Sequence, residues 1–404
     1  MKVLHVLWYS KFGGVENYTR NLFTELERRG HENVIVLAGE MLDGVDTAGR
    51  SVHRLPTVIE LSSAFTKPLQ ADLGRILDSE KVDVAYLHTT LNEGASDVLL
   101  ARLPSVYFAH NYTAFCPSGG LYYERSNAIC GFERAPNLGC LVNAYVQRCN
   151  TGRPARLLAT YRRAEAMQKW TRAVDAIVCD SQYVKARHVS AGFAGDRIHV
   201  LPSPVRVPSR PFPPPARRDT VAFCGRLVKG KGLETLVEAM SLVAPPARLV
   251  VAGEGPLKPA IESSARKFGV SDRIDFVGRL SEEGVSALYE RAAVVAVPSE
   301  WPEPLGMVGP EAFAHGRPVV GTAAGGSSEW LKDDVTGLVA ARGNAVALAG
   351  ALNRVLSDEQ LSARLAAQGR RLVEERFTVE VHTENLIGVF ESAISSKGPL
   401  APPR

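Results

Sequence analysis

The sequence predicts an α/β protein built from two successive units, each a parallel sheet covered by helices. Three observations carry this. Short apolar runs alternate with amphipathic helical runs from Met1 to about Val205, and again from Val221 onward. A proline-rich break, Pro208–Pro215, separates the two series and reads as a stiff, extended linker. A glycine-rich turn follows the first strand of each series, at Gly13-Gly14 and at Gly225–Gly232, where the backbone can come close to a ligand. The expected organisation is an N-terminal unit over 1–205, a linker over 206–218, a second unit over 219–377 and a last helix over 378–396.

The bulk properties agree with this reading. At 404 residues the chain has room for two or three cores. It is 45% hydrophobic and 22% charged. No apolar run is long enough to span a bilayer, and Met1–Trp8 reads as a first strand rather than a signal peptide. A cytoplasmic protein is expected. Net charge is +4, but residues 151–218 hold 13 Lys and Arg against 4 Asp and Glu. This basic stretch is either a solvated face or a point of contact with an anionic membrane surface or acceptor, which would place the protein at the inner membrane face. No aromatic-interleaved basic stripe points to nucleic acid.

In the first half, Val3–Trp8 is a strand, followed by the Gly13-Gly14 turn. Val15–Arg29 is an amphipathic helix closed by Gly30. The Gly-x-Gly-x-x-Gly fingerprint of dinucleotide enzymes is absent there. Strands at Val34–Leu37, Val52–Leu55, Val84–His88 and Val106–His110 continue the alternation, with helices at Lys67–Leu77 and Asn92–Leu103. Ligands of such sheets bind beyond the carboxyl ends of the strands, where His110 stands. Residues 111–153 then break the pattern and hold Cys116, Cys130, Cys140 and Cys149 at spacings of 14, 10 and 9. Without a Cys-x-x-Cys pair, three readings stay open: reduced thiols, a four-thiolate zinc or iron–sulfur site, and disulfides. The segment is expected to wall the acceptor side. Arg156–Arg172 is a basic helix and Asp175–Cys179 a strand.

In the second half, strands fall at Val221–Cys224, Arg248–Val251, Ile274–Val277, Val294–Val297 and Pro318–Val320. The loop Gly225-Arg226-Leu227-Val228-Lys229-Gly230-Lys231-Gly232 nearly matches a phosphate loop, but Gly232 replaces the hydroxyl residue that would hold magnesium. Arg226 offers a bidentate fork and Lys231 a point charge, both suited to a diphosphate. Val297–Glu311 carries two carboxylates, Glu303 in a polar turn and Glu311 on a short helix. Pro310 precedes Glu311, so that helix is expected to start late, with Pro310 at its first position. The stretch contains no obvious nucleophile and suits a polyhydroxylated, phosphorylated ligand.

Taken in order, Gly13-Gly14, His110, Gly225-Arg226 with Lys231-Gly232, Glu303 with Glu311, and Gly325-Gly326 with Glu329 resemble glycosyltransferase family 4. The resemblance spans nearly the whole chain. It implies a GT-B fold, two Rossmann-like domains facing across a cleft, with the last helix crossing back onto the first. It also implies a nucleotide-sugar donor, a UDP- or GDP-sugar, and no cofactor beyond it. Arg226 and Lys231 would bind the diphosphate, Glu311 the ribose and Glu303 the sugar. Leu305, Gly306 and Met307 would offer backbone amides, Gly14 would leave room for the diphosphate, and His110 would stand near the anomeric carbon. This sequence departs from the family in having Pro304-Leu305-Gly306 after Glu303 and Asn111 after His110.

The function so implied is metal-independent transfer of a sugar, with retained configuration, to a hydroxyl on a glycan, a lipid-linked or a small-molecule acceptor. Cell-surface polysaccharide or glycolipid synthesis is the expected setting. A glycosidase also uses two carboxylates but has no need of Arg226 and Lys231. A nucleotide-sugar epimerase of the same fold and a non-catalytic nucleotide-sugar-binding partner are the remaining alternatives.

Overall fold

The structure is a computed structural model that describes residues 1–8, 14–38, 49–60, 62–132, 136–209, 213–215 and 218–397. Its strands in the first half are β1 (Lys2–Leu7), β2 (Glu32–Leu37), β3 (Ser51–Arg54), β4 (Val84–Leu87), β5 (Ser105–Ala109), β6 (Tyr122–Tyr123), β7 (Ala128–Ile129), β8 (Ala176–Cys179) and β9 (Ile198–Val200). The second half holds β10 (Thr220–Cys224), β11 (Arg248–Ala252), β12 (Ile274–Gly278), β13 (Val294–Val297), β14 (Val319–Gly321) and β15 (Gly337–Val339). The central strands are buried on both faces, which is why they read as continuous apolar runs rather than alternating ones.

Apart from the antiparallel β6–β7 pair, the strands form two all-parallel sheets. The first has the order β3-β2-β1-β4-β5-β8-β9, the second β12-β11-β10-β13-β14-β15. In each, the strand order reverses beside the first strand of the unit, between β1 and β4 and between β10 and β13. The loops leaving those strands diverge there and open a crevice at their carboxyl ends. Strand order is a tertiary property, so the sequence pattern alone does not reveal which two loops meet.

The chain divides into two compact units. One contains Met1–Gly120, Gly131–Ser203 and Val379–Arg404; the other contains Leu121–Cys130 and Pro204–Thr378. The β6–β7 hairpin therefore groups with the second unit, although it interrupts the first in sequence. The helix Val379–Lys397 groups with the first. Its Leu386, Val389, Phe390 and Ala393 share a core with Val3, Tyr18, Leu22, Tyr86 and Phe108. In the second unit the sheet is covered on both faces, by the cores built around Leu236, Leu249 and Leu352 and around Leu288, Phe313 and Trp330.

The proline-rich segment is bonded to the second unit rather than spanning open solvent. The buried Arg317 donates from Nη2 to the Pro213 carbonyl at 2.7 Å, and Arg370 does the same to Pro208 at 2.7 Å. The amide of Val205 donates to the carbonyl of Phe377 at 2.8 Å, so the segments leading into and out of this unit run side by side.

The last helix contributes a large part of the first unit's core. Phe390 is fully buried, and Phe390→Ala should destabilise the protein by about 3–5 kcal/mol through lost burial and the cavity left behind. Denaturant unfolding followed by circular dichroism reads this; a loss below about 1 kcal/mol would mean that the helix is not part of that core.

Candidate functional site

In the second unit the loops after β10 and β13 are joined at the switch point. Gly232 is the hinge of this contact. Its φ is +71°, and a Cβ there would stand 1.8 Å from the Pro298 carbonyl oxygen. Only glycine allows the phosphate-loop-like turn to lie against the turn after β13. This gives a physical reason for the missing Ser/Thr of the phosphate-loop pattern. The carbonyl of Gly230 then accepts from the amides of Glu300 at 2.6 Å and Trp301 at 3.1 Å.

This contact brings Lys231 onto Glu303. Lys231 Nζ donates to Glu303 Oε1 at 2.6 Å and lies 5.2 Å from the Trp301 ring centroid. Ser299 Oγ donates to the same carboxylate oxygen at 2.6 Å. The Glu303 side chain is only 6% exposed, against 22% for Lys231, so this is a largely desolvated ion pair. The Glu303 backbone is fixed independently. Its amide donates to Ala324 O at 3.2 Å, and its carbonyl accepts from Gly326 N at 2.6 Å. The Gly325-Gly326 turn thus clamps the position of the carboxylate. Arg226, by contrast, is exposed, and no side chain among the described residues pairs with it.

The turn after Glu303 is built on Trp330, which the sequence reading did not single out. Trp330 Nε1 donates to Leu305 O at 2.7 Å, and a Cβ on Gly309 would stand 2.2 Å from the Trp330 ring. Among the described residues the amides of Leu305, Gly306 and Met307 donate to no backbone carbonyl, so they remain available as donors. The helix that follows is Val308–Ala314, and it does not start late. Pro310 takes its third position, where the absent N–H would in any case have no helical partner. Glu311 lies in the first turn of that helix and accepts from Tyr289 Oη at 3.3 Å. Burial raises the Glu311 pKa, and Tyr289 offsets this in part. The two glutamates are therefore unlike: Glu303 is held by a cation, Glu311 by a phenol.

A third carboxylate, Glu300, was not expected. It is 8% exposed and accepts from Thr235 Oγ1 at 2.5 Å and from Asn127 Nδ2 at 2.6 Å. Asn127 lies at the turn of the β6–β7 hairpin, where it also accepts from Tyr122 Oη. The cysteine-containing segment was expected to wall the acceptor side; this part of it is bonded to the turn after β13. The one sequence signal for the hairpin was a polar turn, Arg125-Ser126-Asn127, between short apolar runs.

The four-thiolate reading is corrected. Among the described residues no group of three or more His, Cys, Asp or Glu stands where it could hold a metal ion. Each of the six cysteines is a thiol. Cys116 Sγ bonds Ser118 Oγ at 3.3 Å, and Cys130, in the other unit, donates to Tyr123 Oη at 3.2 Å.

In the first unit, Gly13 lies outside the described residues and Gly14 opens the helix Gly14–Arg28. His110 follows β5. Its Nε2 bonds His88 Nδ1 at 3.1 Å, and its ring lies against Phe108 and Tyr18 at centroid distances of 4.0 and 5.5 Å. Burial holds the His110 pKa at about 3, with the proximity of His382 as a lesser cause, so the imidazole is neutral at physiological pH. Behind it, His382 Nδ1 donates to Pro202 O at 2.9 Å, so its Nε2 must accept from Tyr18 Oη at 2.8 Å. Tyr86 Oη then donates to Tyr18 at 2.8 Å. Asp180, also buried, accepts from Ser203 N at 2.9 Å, and burial raises its pKa to about 6.

Two family models match the chain in tandem: Glycosyltransferase Family 4 over residues 12–207 and Glycosyl transferases group 1 over residues 209–372. An uncharacterised glycosyltransferase of Methanocaldococcus jannaschii is 26% identical over 98% of this chain and 100% of its own length. A D-inositol 3-phosphate glycosyltransferase of Xylanimonas cellulosilytica is 33% identical over 49% of this chain and 52% of its own. A lipopolysaccharide core biosynthesis glycosyltransferase of Rhizobium meliloti is 30% identical over 55% and 65%. Among solved structures, Anabaena HepE in complex with UDP superposes with a TM-score of 0.69 at 18% identity, covering 97% of this chain and 100% of that one. A glycosyltransferase of Rickettsia africae gives 0.74 at 17% identity, covering 97% and 98%.

Asp180 supplies a pH signature. Its folded pKa, about 6, is raised above the ordinary 3.8, so its contribution to stability is full below about pH 4 and is lost as pH rises through 6. Asp180→Asn cannot ionise. Between pH 3.5 and 8 its stability relative to the parent should improve by on the order of 3 kcal/mol, read as the difference between denaturation curves. An unchanged difference across that range would contradict the burial of an ionisable Asp180.

Proposed function

Since the chain belongs to the family 4-type glycosyltransferases of GT-B fold, we propose that it transfers a sugar from a nucleotide-diphosphate donor to a hydroxyl acceptor with retained configuration. The observation that carries this is the Lys231–Glu303 pair at the β10/β13 switch point, together with the exposed Arg226 on the loop that holds Lys231 and the unbonded amides of Leu305–Met307 after Glu303. Cationic groups and aligned amides suit a diphosphate, and buried carboxylates suit sugar hydroxyls.

In this reading Arg226 and Lys231 hold the diphosphate, and Glu311 accepts from the ribose hydroxyls. Without ligand, Lys231 is neutralised by Glu303. A diphosphate would share that ammonium, and the carboxylate, still held by Ser299, would turn part of its accepting capacity to the sugar. Charge developing on the departing phosphate is stabilised by groups already in place, which is where electrostatic catalysis gains most. The acceptor proton passes to that phosphate oxygen on the same face. In this reading the chain's own cations, carboxylates and amides make these contacts without a metal ion, and the sequence has no Asp-x-Asp pair of the kind that holds a catalytic metal. The donor is a UDP- or GDP-sugar; HepE, a protein of the same fold, binds UDP, and one relative is named as GDP-mannose-dependent.

The acceptor is a glycan or glycolipid at the inner membrane face, in keeping with relatives named for lipopolysaccharide core synthesis. No helix among the described residues is long and apolar enough to cross a membrane. The helix Leu138–Val146 exposes Leu138, Val142, Tyr145 and Val146 at one-face spacing. Exposed Arg148 follows it, and exposed Arg153 and Arg156 open the basic stretch. An apolar face flanked by arginines suits an anionic bilayer surface.

Two measurements test these assignments. UDP or GDP should raise the melting temperature of the protein, and Lys231→Ala and Arg226→Ala should each remove most of that shift and lower turnover at least about tenfold. Unchanged nucleotide binding and turnover in both variants would remove the phosphate assignment. Separately, the protein should co-sediment with vesicles containing anionic lipid, and Leu138→Ser with Val142→Ser should abolish this. Equal sedimentation of parent and double variant would place any membrane contact elsewhere.

A further inference from the structure

The bond between His88 Nδ1 and His110 Nε2, at 3.1 Å, joins two neutral imidazoles, so one ring must donate and the other accept. His88 Nε2 is buried with no partner. If His88 accepted at Nδ1, its proton would sit on Nε2 as a buried, unmade N–H. If it donates from Nδ1, the orphan is a lone pair. Stranding a buried polar group is costly, and native proteins strand donors more rarely than acceptors.

Two other buried histidines of the same unit follow this rule. His188 Nδ1 faces the Val184 carbonyl at 2.9 Å and must donate, which leaves its partnerless Nε2 as a lone pair. His5 Nε2 faces Asn33 Oδ1 at 2.9 Å. Asn33 Nδ2 is turned to Phe23 O at 3.2 Å and Glu27 Oε1 at 2.8 Å, so the oxygen accepts and His5 Nδ1 is the lone pair. In both, the unmade site is an acceptor.

From this geometry we infer that His88 is a positioning residue: it donates from Nδ1 to His110 Nε2 and so holds His110 in the Nδ1–H tautomer. His110 Nδ1 has no partner among the described residues, and the ring is partly exposed. It therefore presents an N–H. His110 acts as a neutral hydrogen-bond donor to a hydroxyl or ring oxygen of the transferred sugar, and not as a base that removes the acceptor proton. The depressed pKa of both rings agrees with this, since neither takes up a second proton near neutrality. The pair is enclosed by His5 on β1, Tyr18 on the helix Gly14–Arg28, Tyr86 on β4 and His382 on the helix Val379–Lys397. The role in sugar binding rests on the transferase reading above; the tautomer does not.

The test is nitrogen-15 NMR of the full-length protein labelled at histidine, with His110→Gln used to assign the His110 signals. Long-range nitrogen–proton correlations should show His110 protonated at Nδ1 and bare at Nε2, without change from pH 6 to 8. A proton on His110 Nε2 would overturn the proposal whatever the enzyme's activity. In transfer assays His88→Leu should lower kcat roughly tenfold or more, as loss of the correct tautomer does elsewhere. His88→Asn, whose amide places a donor near the same point, should recover most of it while matching His88→Leu in thermal stability. Equal loss in both variants would overturn the positioning role. Should neither the parent nor any variant transfer sugar, the NMR result still decides the tautomer, so the two readings fail separately.

Discussion

One buried negative charge organises the second unit. Removing the Glu303 carboxylate from water is expensive, and the fold meets that cost with a cation, a hydroxyl and a backbone clamp. Each of these sets a local requirement. Lys231 reaches the carboxylate only if its loop lies flat on Pro298, which demands Gly232. The clamp needs a turn whose Gly325 can adopt φ +67°. The turn after Glu303 must stay open at its amides while its carbonyl is fixed, and Trp330 does this from beneath. The glycines and the tryptophan are thus consequences of holding one charge, rather than separate features.

The first unit solves the opposite problem. Its crevice end collects histidines and tyrosines, and burial keeps them uncharged. Proton positions are then fixed by hydrogen-bond bookkeeping, as in the run from Tyr86 through Tyr18 and His382 to the Pro202 carbonyl. The second unit is thus built around a paired charge, and the first around neutral, directional hydrogen-bonding groups.

Much of this was legible in the sequence. Both sheets are parallel and buried, so their strands stand out as apolar runs, and the predicted ends mostly fall within one or two residues of those observed. His110 could be singled out because it follows directly on β5, and Lys231 and Glu303 because they stand in the loops that leave β10 and β13. What was not legible depends on contacts distant in sequence. Glu300 has its partners 65 and 173 residues away, and nothing in Ser-Glu-Trp announces them. The β6–β7 hairpin joins the second unit through Asn127, a residue that local pattern marks only as a turn. The prolines looked like a free spacer because their carbonyls are bonded by Arg317 and Arg370, 104 and 162 positions further on. The late helix start was an error of local rule: Pro310 satisfies the first helical turn as well at its third position as at its first.

The helix Val379–Lys397 belongs to the core that begins with Val3, and this bears on how the protein is made. During synthesis the first unit emerges complete except for the side chains of Leu386, Phe390 and Ala393, which leave the ribosome only after the whole second unit. Until then Tyr18, Tyr86 and Phe108 have an uncovered face. The N-terminal unit, although translated first, is therefore the last to close, and the second unit can settle while its neighbour is still open. Contacts of such long sequence separation slow folding and lengthen the exposure of apolar surface. The nascent chain's period of greatest vulnerability to aggregation thus lasts until the helix Val379–Lys397 has been made, and it resides in the half of the molecule that was made first.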